Sequence, residues 1–160
     1  MLGNLFGLLP LENVATRFTC LSALSMALAA GFLAATAFRL FSSAASPLPA
    51  IAAGLTFAFS SLVWGQATIA EVYGLFMLFT AVFLWALLTK RPSGVAGLFL
   101  GLAITAHLTG WLLLPLALAQ TPRSRWPKLG AGLLLGLLPF CCCPCWPLKT
   151  ARWCGANRVP

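Results

Sequence analysis

Long apolar runs, separated by short polar or basic stretches, follow one another along most of this chain. A helix needs about 20 predominantly apolar residues to cross the hydrocarbon core of a bilayer. The pattern therefore predicts an all-α protein, a polytopic bundle of transmembrane helices that forms a membrane domain over residues 1–140. The predicted membrane segments are 18–40, 50–66, 70–89, 94–106, 109–120 and 129–148.

The apolar stretch 94–119 is interrupted near its middle by the sequence His-Leu-Thr-Gly at 107–110. One straight span there would place the basic loop 121–128 on the opposite side of the membrane from the basic loop 90–93. Lys and Arg instead tend to collect in cytoplasmic loops. Two short helices hinged at 107–110 keep both loops on one side, and Thr-Gly is suitable turn chemistry. We therefore expect the hinge, with loops 40–49, 90–93 and 121–128 all cytoplasmic.

Composition strengthens the membrane interpretation. Hydrophobic residues make up 61% of the 160 residues and charged residues 8%, and the mean hydropathy is +0.96. About 25% of the residues of a soluble domain are charged, so this chain has too little polar surface for a water-soluble globule and has the lipid bilayer as its expected partner. Ten Lys and Arg against two acids give a net charge of +8. Because these cations flank apolar segments without a basic-aromatic pattern, no nucleic-acid partner is expected.

Two polar residues stand out against the apolar background, Glu71 and His107. With the hinge, the stretch 64–71 and His107 both face the non-cytoplasmic side, where they could share a site. Ionisable groups at membrane depth are costly and usually mark function. This favours a functional Glu71 over an acid that caps the helix beginning near Val72. His107 is compatible both with direct binding and with satisfying backbone groups opened by Gly110.

Three further residues are candidates for the same outer face. Arg17, at the mouth of the first helix, would attract a phosphate or would extend to the lipid headgroups. Tyr73 and Gln66, which flank Glu71 in the sequence, are candidate substrate-binding residues. For Trp64 and Tyr73, the position in the sequence favours interfacial aromatic anchors over substrate contacts. No residue is assigned as a metal ligand.

The composition changes abruptly after Phe140, where Leu-rich sequence gives way to Cys, Trp and Arg. The cysteines of residues 141–145 lack the paired C-x-x-C spacing of structural zinc sites, and S-acylation near the membrane is an alternative use for them. A CTG codon for Leu, read one base out of frame, gives TGC for Cys. We therefore hypothesise that residues 141–160 are an aberrant tail from a shifted reading frame.

Four stretches of the chain resemble a known family. Residues 59–73 carry a Trp, a small-residue spacer and the group Ala-Glu-Val-Tyr before a Leu/Phe-rich helix, and residues 101–109 carry Gly-Leu-x-x-x-x-His-Leu-Thr. Both are similar to segments of the DUF2723 membrane proteins, which include protein O-mannosyltransferase-like members. Residues 17–23 resemble the family's Arg-x-Asn-x-x-Ser-Ala, with Thr19 in place of Asn, and residues 137–140 resemble its Leu-Pro-Tyr/Phe.

This resemblance implies a partial GT-C-like glycosyltransferase of a bacterial inner (plasma) membrane. Such multi-pass enzymes transfer a sugar from a polyprenyl-phosphate-linked donor to a protein or glycan acceptor on the non-cytoplasmic face. Glu71 would orient or deprotonate the acceptor, or help to hold a divalent metal ion, since oxygen ligands suit hard cations. His107 would bind a donor phosphate or an acceptor hydroxyl, and Arg17 would offset the phosphate charge.

The resemblance also departs from the GT-C pattern. GT-C enzymes usually carry an essential acid in a first outer loop, and Glu12 does not match that motif. The chain is therefore expected to be an internal fragment that is inactive alone. Two other interpretations stay open: a transporter with a Glu71–His107 relay, which would need both groups near the membrane midplane, and a non-functional truncated gene product. The interfacial position expected for Glu71 favours the transferase over the relay.

Overall fold

A computed structural model describes residues 14–41, 46–68 and 73–141. Over these ranges the chain is all-α, without a strand, as predicted. The helices are α1 (Val14–Leu40), α2 (Leu48–Ala58), α3 (Ser61–Thr68), α4 (Tyr73–Leu88), α5 (Ser93–Ala106), α6 (Leu114–Gln120) and α7 (Trp126–Cys141), with 3-10 turns at Leu108–Leu113 and Arg123–Arg125.

Within the described ranges, α1 is the single unbroken helix that is long and apolar enough to cross a membrane. Its segment Phe18–Leu40 has 23 residues and a hydropathy of 1.8. Helices α2 and α3 meet the same criterion only when they are counted as one span bent by 53°. Three other apolar segments have 10–17 residues, fewer than the about 20 of a typical span. The helix lengths therefore do not test the polytopic arrangement or the predicted segment boundaries, and both stay predictions.

Helices α2 and α3 return along α1 in the antiparallel direction. Gly54 of α2 lies so close to α1 that a Cβ atom there would be 2.8 Å from the Cβ of Ala34. Further along, the buried hydroxyl of Ser22 in α1 donates a hydrogen bond of 3.0 Å to the main-chain carbonyl of Gln66 in α3. These two contacts fix both returning helices against α1.

The break between α2 and α3 differs from the single segment predicted over 50–66. Helix α2 ends at Ala58, α3 begins at Ser61, and the two helix axes differ by 53°. Serine side chains compete for backbone hydrogen bonds, and sharp kinks recur at Gly/Ser pairs, so the Ser60-Ser61 pair accounts for the position of the break. The bend keeps both halves in contact with α1.

Helix α4 runs parallel to α1, and α5 runs antiparallel to α4. Near one end of the bundle Gly74 packs against Ser22, and further along the ring of Trp85 meets Phe32 edge to face at 5.6 Å. Phe83 of α4 and Leu100 of α5 are fully buried in the same apolar cluster. This cluster forms the core between α4, α5, α6 and α7.

Helices α5 and α7 run parallel at very short distance because glycines line their contact. A Cβ atom at any of the four positions named below would lie less than 3.0 Å from backbone of the other helix. Small residues spaced four apart permit such approach between membrane helices. In addition, the hydroxyl of Thr105 donates a 3.0 Å hydrogen bond to a carbonyl across this contact. The glycines are Gly97, Gly101, Gly132 and Gly136.

The chain turns back at 107–110, where the sequence predicts a hinge. Helix α5 ends at Ala106, and His107 has an extended backbone with φ −153° and ψ 132°. Residues 108–125 then lead back to the other end of α5, because Lys128 at the start of α7 lies beside Gly94 at the start of α5. Loops 89–92 and 121–125 therefore share one end of the bundle.

Charge divides the bundle into two ends. The basic end holds every Lys and Arg whose side chain the structure describes, and the opposite end, called the His107 end, holds Ser22, Gln66, Tyr73 and His107. Arg39 joins the basic end because it lines a pocket together with Lys90 and Arg91. The basic end comprises Arg39, Lys90, Arg91, Arg123, Arg125 and Lys128.

Candidate functional site

The His107 end brings polar side chains of three different helices and the hinge together. Ser22 comes from α1, Gln66 from the end of α3, Tyr73 from the start of α4, and His107 from the hinge after α5. They meet because α1 and α4 begin at this end, whereas α3 and α5 finish here. Alternation of helix direction thus gathers residues that are up to 85 positions apart in the sequence.

The imidazole of His107 lies against two aromatic rings of α4. Its ring centre is 5.2 Å from that of Tyr73 and 5.5 Å from that of Phe76, and both pairs are tilted. Tyr73 and Phe76 are three residues apart, so they share one face of α4. His107 is half-buried and Tyr73 is exposed, which leaves one side of this aromatic pair open to a ligand.

Hydrogen bonds orient the His107 ring. Its Nδ1 atom accepts the main-chain N–H of Thr109 at 3.3 Å and lies 2.7 Å from the hydroxyl of the same residue. An Nδ1 atom that accepts an N–H places the proton of the neutral ring on Nε2. Part of the structural role considered for His107 is thus present, because the side chain caps the 3-10 turn. In that tautomer, Nε2–H is the remaining hydrogen-bond donor of the ring.

Gln66 contributes an unused acceptor. Its main-chain carbonyl accepts the Ser22 hydroxyl, whereas its side-chain Oε1 atom is buried and has no hydrogen-bond partner among the described residues. A buried oxygen without a partner is destabilising by about 1–3 kcal/mol. A hydroxyl group that donated a hydrogen bond to this oxygen would remove that cost.

The structure joins some of the sequence-predicted site residues and not others. Tyr73 and His107 are in direct ring contact, and Gln66 is linked to the start of α4 through Ser22, which touches both Gln66 and Gly74. Among the described residues, no hydrogen bond or ring contact joins Gln66 to His107. Trp64 stacks on Phe59 at 6.5 Å and is 61% exposed, consistent with a surface position.

Two predicted site residues have no described side-chain geometry. Glu71 lies outside the described residues, although the residues that bracket the gap, Thr68 and Tyr73, belong to the His107 end. Arg17 lies in the first two turns of α1, and its side chain is likewise outside the description. Their roles stay predictions.

Sequence reasoning missed three contributors to this end: Ser22, Phe76 and Thr109. The aromatic spacing Tyr73-x-x-Phe76 was the available signal for the ring contacts, since residues three apart share a helix face. The Ser22 contact depends on the antiparallel path of α3, which no local pattern of residues specifies.

The described residues fit no divalent metal ion by themselves. Across residues 14–41, 46–68 and 73–141 no group of three or more His, Cys, Asp or Glu side chains is close enough to hold a metal. Both acids of the sequence, Glu12 and Glu71, lie outside these ranges. What the His107 end offers is an imidazole, a buried amide oxygen and aromatic faces.

Comparison with known proteins gives the chain a family. No solved structure matches it significantly. Residues 1–129 match the family model of the protein O-mannosyl-transferase TMEM260 N-terminal domain, and this range contains the whole candidate site. A domain from an O-mannosyltransferase, together with the apolar span of α1, indicates a glycosyltransferase-related membrane protein. The chain belongs to the family of the protein O-mannosyl-transferase TMEM260 N-terminal domain.

Proposed function

We propose that this chain takes part in the transfer of a sugar from a polyprenyl-phosphate-linked donor to a hydroxyl of a protein or glycan acceptor. Mannose is the first sugar to test, because the matched family is that of an O-mannosyl-transferase. The observation that carries the proposal is the His107 end, where an imidazole donor in contact with Tyr73 and an unpartnered Gln66 oxygen lie opposite all the described cations. The family match supplies the class of reaction. The lipid-linked donor is proposed from the resemblance to DUF2723 and GT-C enzymes.

Charge supports the placement of this site on the non-cytoplasmic face. Basic loops favour the cytoplasmic side, so the basic end faces the cytoplasm and the His107 end faces outward. The protein is then a multi-pass protein of a bacterial inner membrane, in which α1 and the bent pair α2–α3 cross fully and the shorter helices cross as a packed group.

The transfer itself exchanges one bond at the anomeric carbon for another. The acceptor oxygen bonds to that carbon as the bond to the donor phosphate breaks, and the acceptor proton passes to a base. In the proposal His107 donates its Nε2–H to the donor phosphate or to a sugar hydroxyl, and the Gln66 oxygen accepts from a sugar hydroxyl. Glu71 is the proposed base, and Arg17 balances the phosphate charge; no step is routed through a metal ion.

The matched family model describes an N-terminal domain. We therefore place the chemistry in a longer protein that contains this sequence as one part. The chain alone then binds donor without transferring sugar.

A donor-binding assay tests the proposal on the chain as it exists. The 160-residue chain is reconstituted in lipid nanodiscs and titrated with a polyprenyl-phosphate-mannose. Gln66→Ala and His107→Ala are each expected to weaken binding about tenfold, the value of one hydrogen bond to a charged or buried group. Gln120→Ala is the matched control, because Gln120 is exposed and follows the hinge on the return to the basic end.

The results distinguish a glycosyltransferase from a transporter. Donor binding that Gln66→Ala and Gln120→Ala affect equally would refute the site. A relay needs ionisable groups near the membrane midplane, whereas His107 lies where α5 ends. Proton flux through the reconstituted chain that depends on His107, without donor binding, would favour the transporter instead.

A further inference from the structure

A pocket of about 600 Å³ opens at the basic end, far along the bundle from the candidate transferase site. It lies between the end of α1, which supplies Arg39, and the end of α4 with the loop that follows it. Three cations, one aromatic ring and one hydroxyl face it, with apolar walls. The lining residues are Arg39, Trp85, Leu88, Thr89, Lys90, Arg91 and Pro92.

The local backbone presents these cations rather than burying them. Lys90 adopts a left-handed conformation with φ 56°, and the N–H groups of Lys90 and Arg91 return to the carbonyls of Leu87 and Ala86. This is the hydrogen-bond pattern of a Schellman cap. The Thr89 hydroxyl donates to the Trp85 carbonyl. Three of the last carbonyls of α4 are thereby occupied, which reduces the negative character of this helix end.

Arg91 is held in place by an aromatic stack. Its guanidinium carbon lies 4.8 Å from the centre of the Trp85 ring, and that ring is itself braced by Phe32 at 5.6 Å. A guanidinium stacked on an indole keeps its N–H groups free at the edge, where they can bind two oxygens of one phosphate. The pocket thus contains a guanidinium group that is already oriented to donate hydrogen bonds to a phosphate.

The three cations of the pocket have no acidic partner in the described chain. Neither Asp nor Glu occurs in residues 14–41, 46–68 or 73–141, and the full sequence holds two acids against ten Lys and Arg. Several positive charges around one cavity raise the affinity of that cavity for an anion.

We propose that this pocket binds the phosphate headgroup of an anionic phospholipid in the cytoplasmic leaflet. Basic pockets between helices on the cytoplasmic side suit acidic lipid headgroups. A lipid fits better than a soluble phosphate because Arg39 is flanked by Phe38 and Leu40, which are 51% and 57% exposed. These apolar surfaces give acyl chains a path along α1 while the headgroup occupies the pocket.

A pair of charge-matched variants tests this proposal. The pocket variant is Arg39→Gln/Lys90→Gln/Arg91→Gln, and the control is Arg123→Gln/Arg125→Gln/Lys128→Gln, which removes the same three charges from the same end. Native mass spectrometry measures the binding of phosphatidylglycerol and phosphatidylcholine with identical acyl chains to the purified chain. Each cation that contacts the bound headgroup is expected to change binding about fivefold, so the loss of three such contacts changes it on the order of a hundredfold. The control removes three cations that do not line the pocket.

Wild-type chain is expected to prefer phosphatidylglycerol, with this preference lost in the pocket variant and reduced less than about fivefold in the control. Equal loss in both variants, or no preference in the wild type, would overturn the proposal. Competition by millimolar inorganic phosphate would also overturn it, because it would identify a soluble anion as the ligand. If the triple variant does not fold, as judged by far-UV circular dichroism, Arg39→Gln against Arg125→Gln gives the same comparison at about fivefold.

The inference rests on the membrane embedding proposed above and not on sugar transfer. Donor binding is expected to be unchanged in the pocket variant, and phospholipid preference is expected to be unchanged in His107→Ala. A failure of one proposal is therefore distinguishable from a failure of the other.

Discussion

The glycine contact between α5 and α7 makes a sharp quantitative prediction for Gly97→Ala. An added Cβ atom at Gly97 would lie 2.9 Å from the carbonyl carbon of Leu129 and 3.0 Å from the nitrogen of Leu133, and closer still to the Leu129 oxygen. Ordinary van der Waals contact begins at 3.4 Å, so the carbonyl carbon alone requires a shift of 0.5 Å (3.4 − 2.9), and the closer Leu129 oxygen requires α7 to move further. All these atoms are backbone, so no side-chain rotation can relieve the overlap.

The expected loss of stability follows from two opposing terms. Overpacking of a tight contact is destabilising by about 1–3 kcal/mol, whereas replacing a helical Gly by Ala gains about 1 kcal/mol in helix propensity. A shift of α7 also stretches the Thr105–Gly136 hydrogen bond, worth about 1 kcal/mol. The net prediction is a loss of about 1–3 kcal/mol.

Gly130→Ala is the matched control, because a Cβ atom at Gly130 meets nothing within 4 Å. It is expected to be neutral or to stabilise by up to about 1 kcal/mol. Reversible unfolding in mixed detergent micelles, followed by circular dichroism, measures both free energies of unfolding. If Gly97→Ala is as stable as Gly130→Ala, the close approach of α5 and α7 is wrong.

Two further substitutions probe other contacts by the same unfolding assay. Lys90→Gly is expected to stabilise the chain by about 0.5–1 kcal/mol, because glycine adopts the left-handed conformation at φ 56° without the Cβ penalty; a loss of stability would contradict that backbone geometry. Ser22→Ala is expected to destabilise by about 1 kcal/mol, since it removes the hydrogen bond to Gln66 between α1 and α3. Ser25→Ala, which removes a bond within α1 alone, should have the smaller effect, and the reverse order would refute the α1–α3 contact.

The sequence predicted those features that depend on the balance of charge and apolar length. The hinge at 107–110 followed from the requirement that two basic loops share one side, and the chain does turn there. The all-α class followed from apolar runs that are long enough for membrane-spanning helices. The hinge and the all-α class both depend on apolar length and charge averaged over many residues, and such averages can be calculated from a single sequence.

Features that depend on one close contact were not predictable in the same way. The break at Phe59–Ser60 coincides with the pair Ser60-Ser61 inside an otherwise apolar run, but no Pro or Gly marks it, and a serine pair alone does not predict a bend of 53°. Gly97 and Gly101 form a visible small-residue pattern, but their partners 132 and 136 depend on the return path of the chain. For the site, the sequence predicted that the stretch 64–71 and His107 share one face, and the pairing of Glu71 with His107 stays a prediction. The ring contact between Tyr73 and His107 and the contact of Ser22 with Gln66 depend on the directions of the helices, which the sequence does not specify.

In the membrane embedding proposed above, segregation of charge to one end would make the orientation of the bundle depend on the membrane potential. Six described cations lie at the basic end: Arg39, Lys90, Arg91, Arg123, Arg125 and Lys128. Carrying one charge across a membrane against 100 mV requires about 2.3 kcal/mol. In a cell whose interior is negative, an inverted molecule would hold its six charges on the unfavourable side at a cost of about 14 kcal/mol. In the proposed embedding, the membrane potential would therefore favour the orientation that keeps the basic end inside the cell.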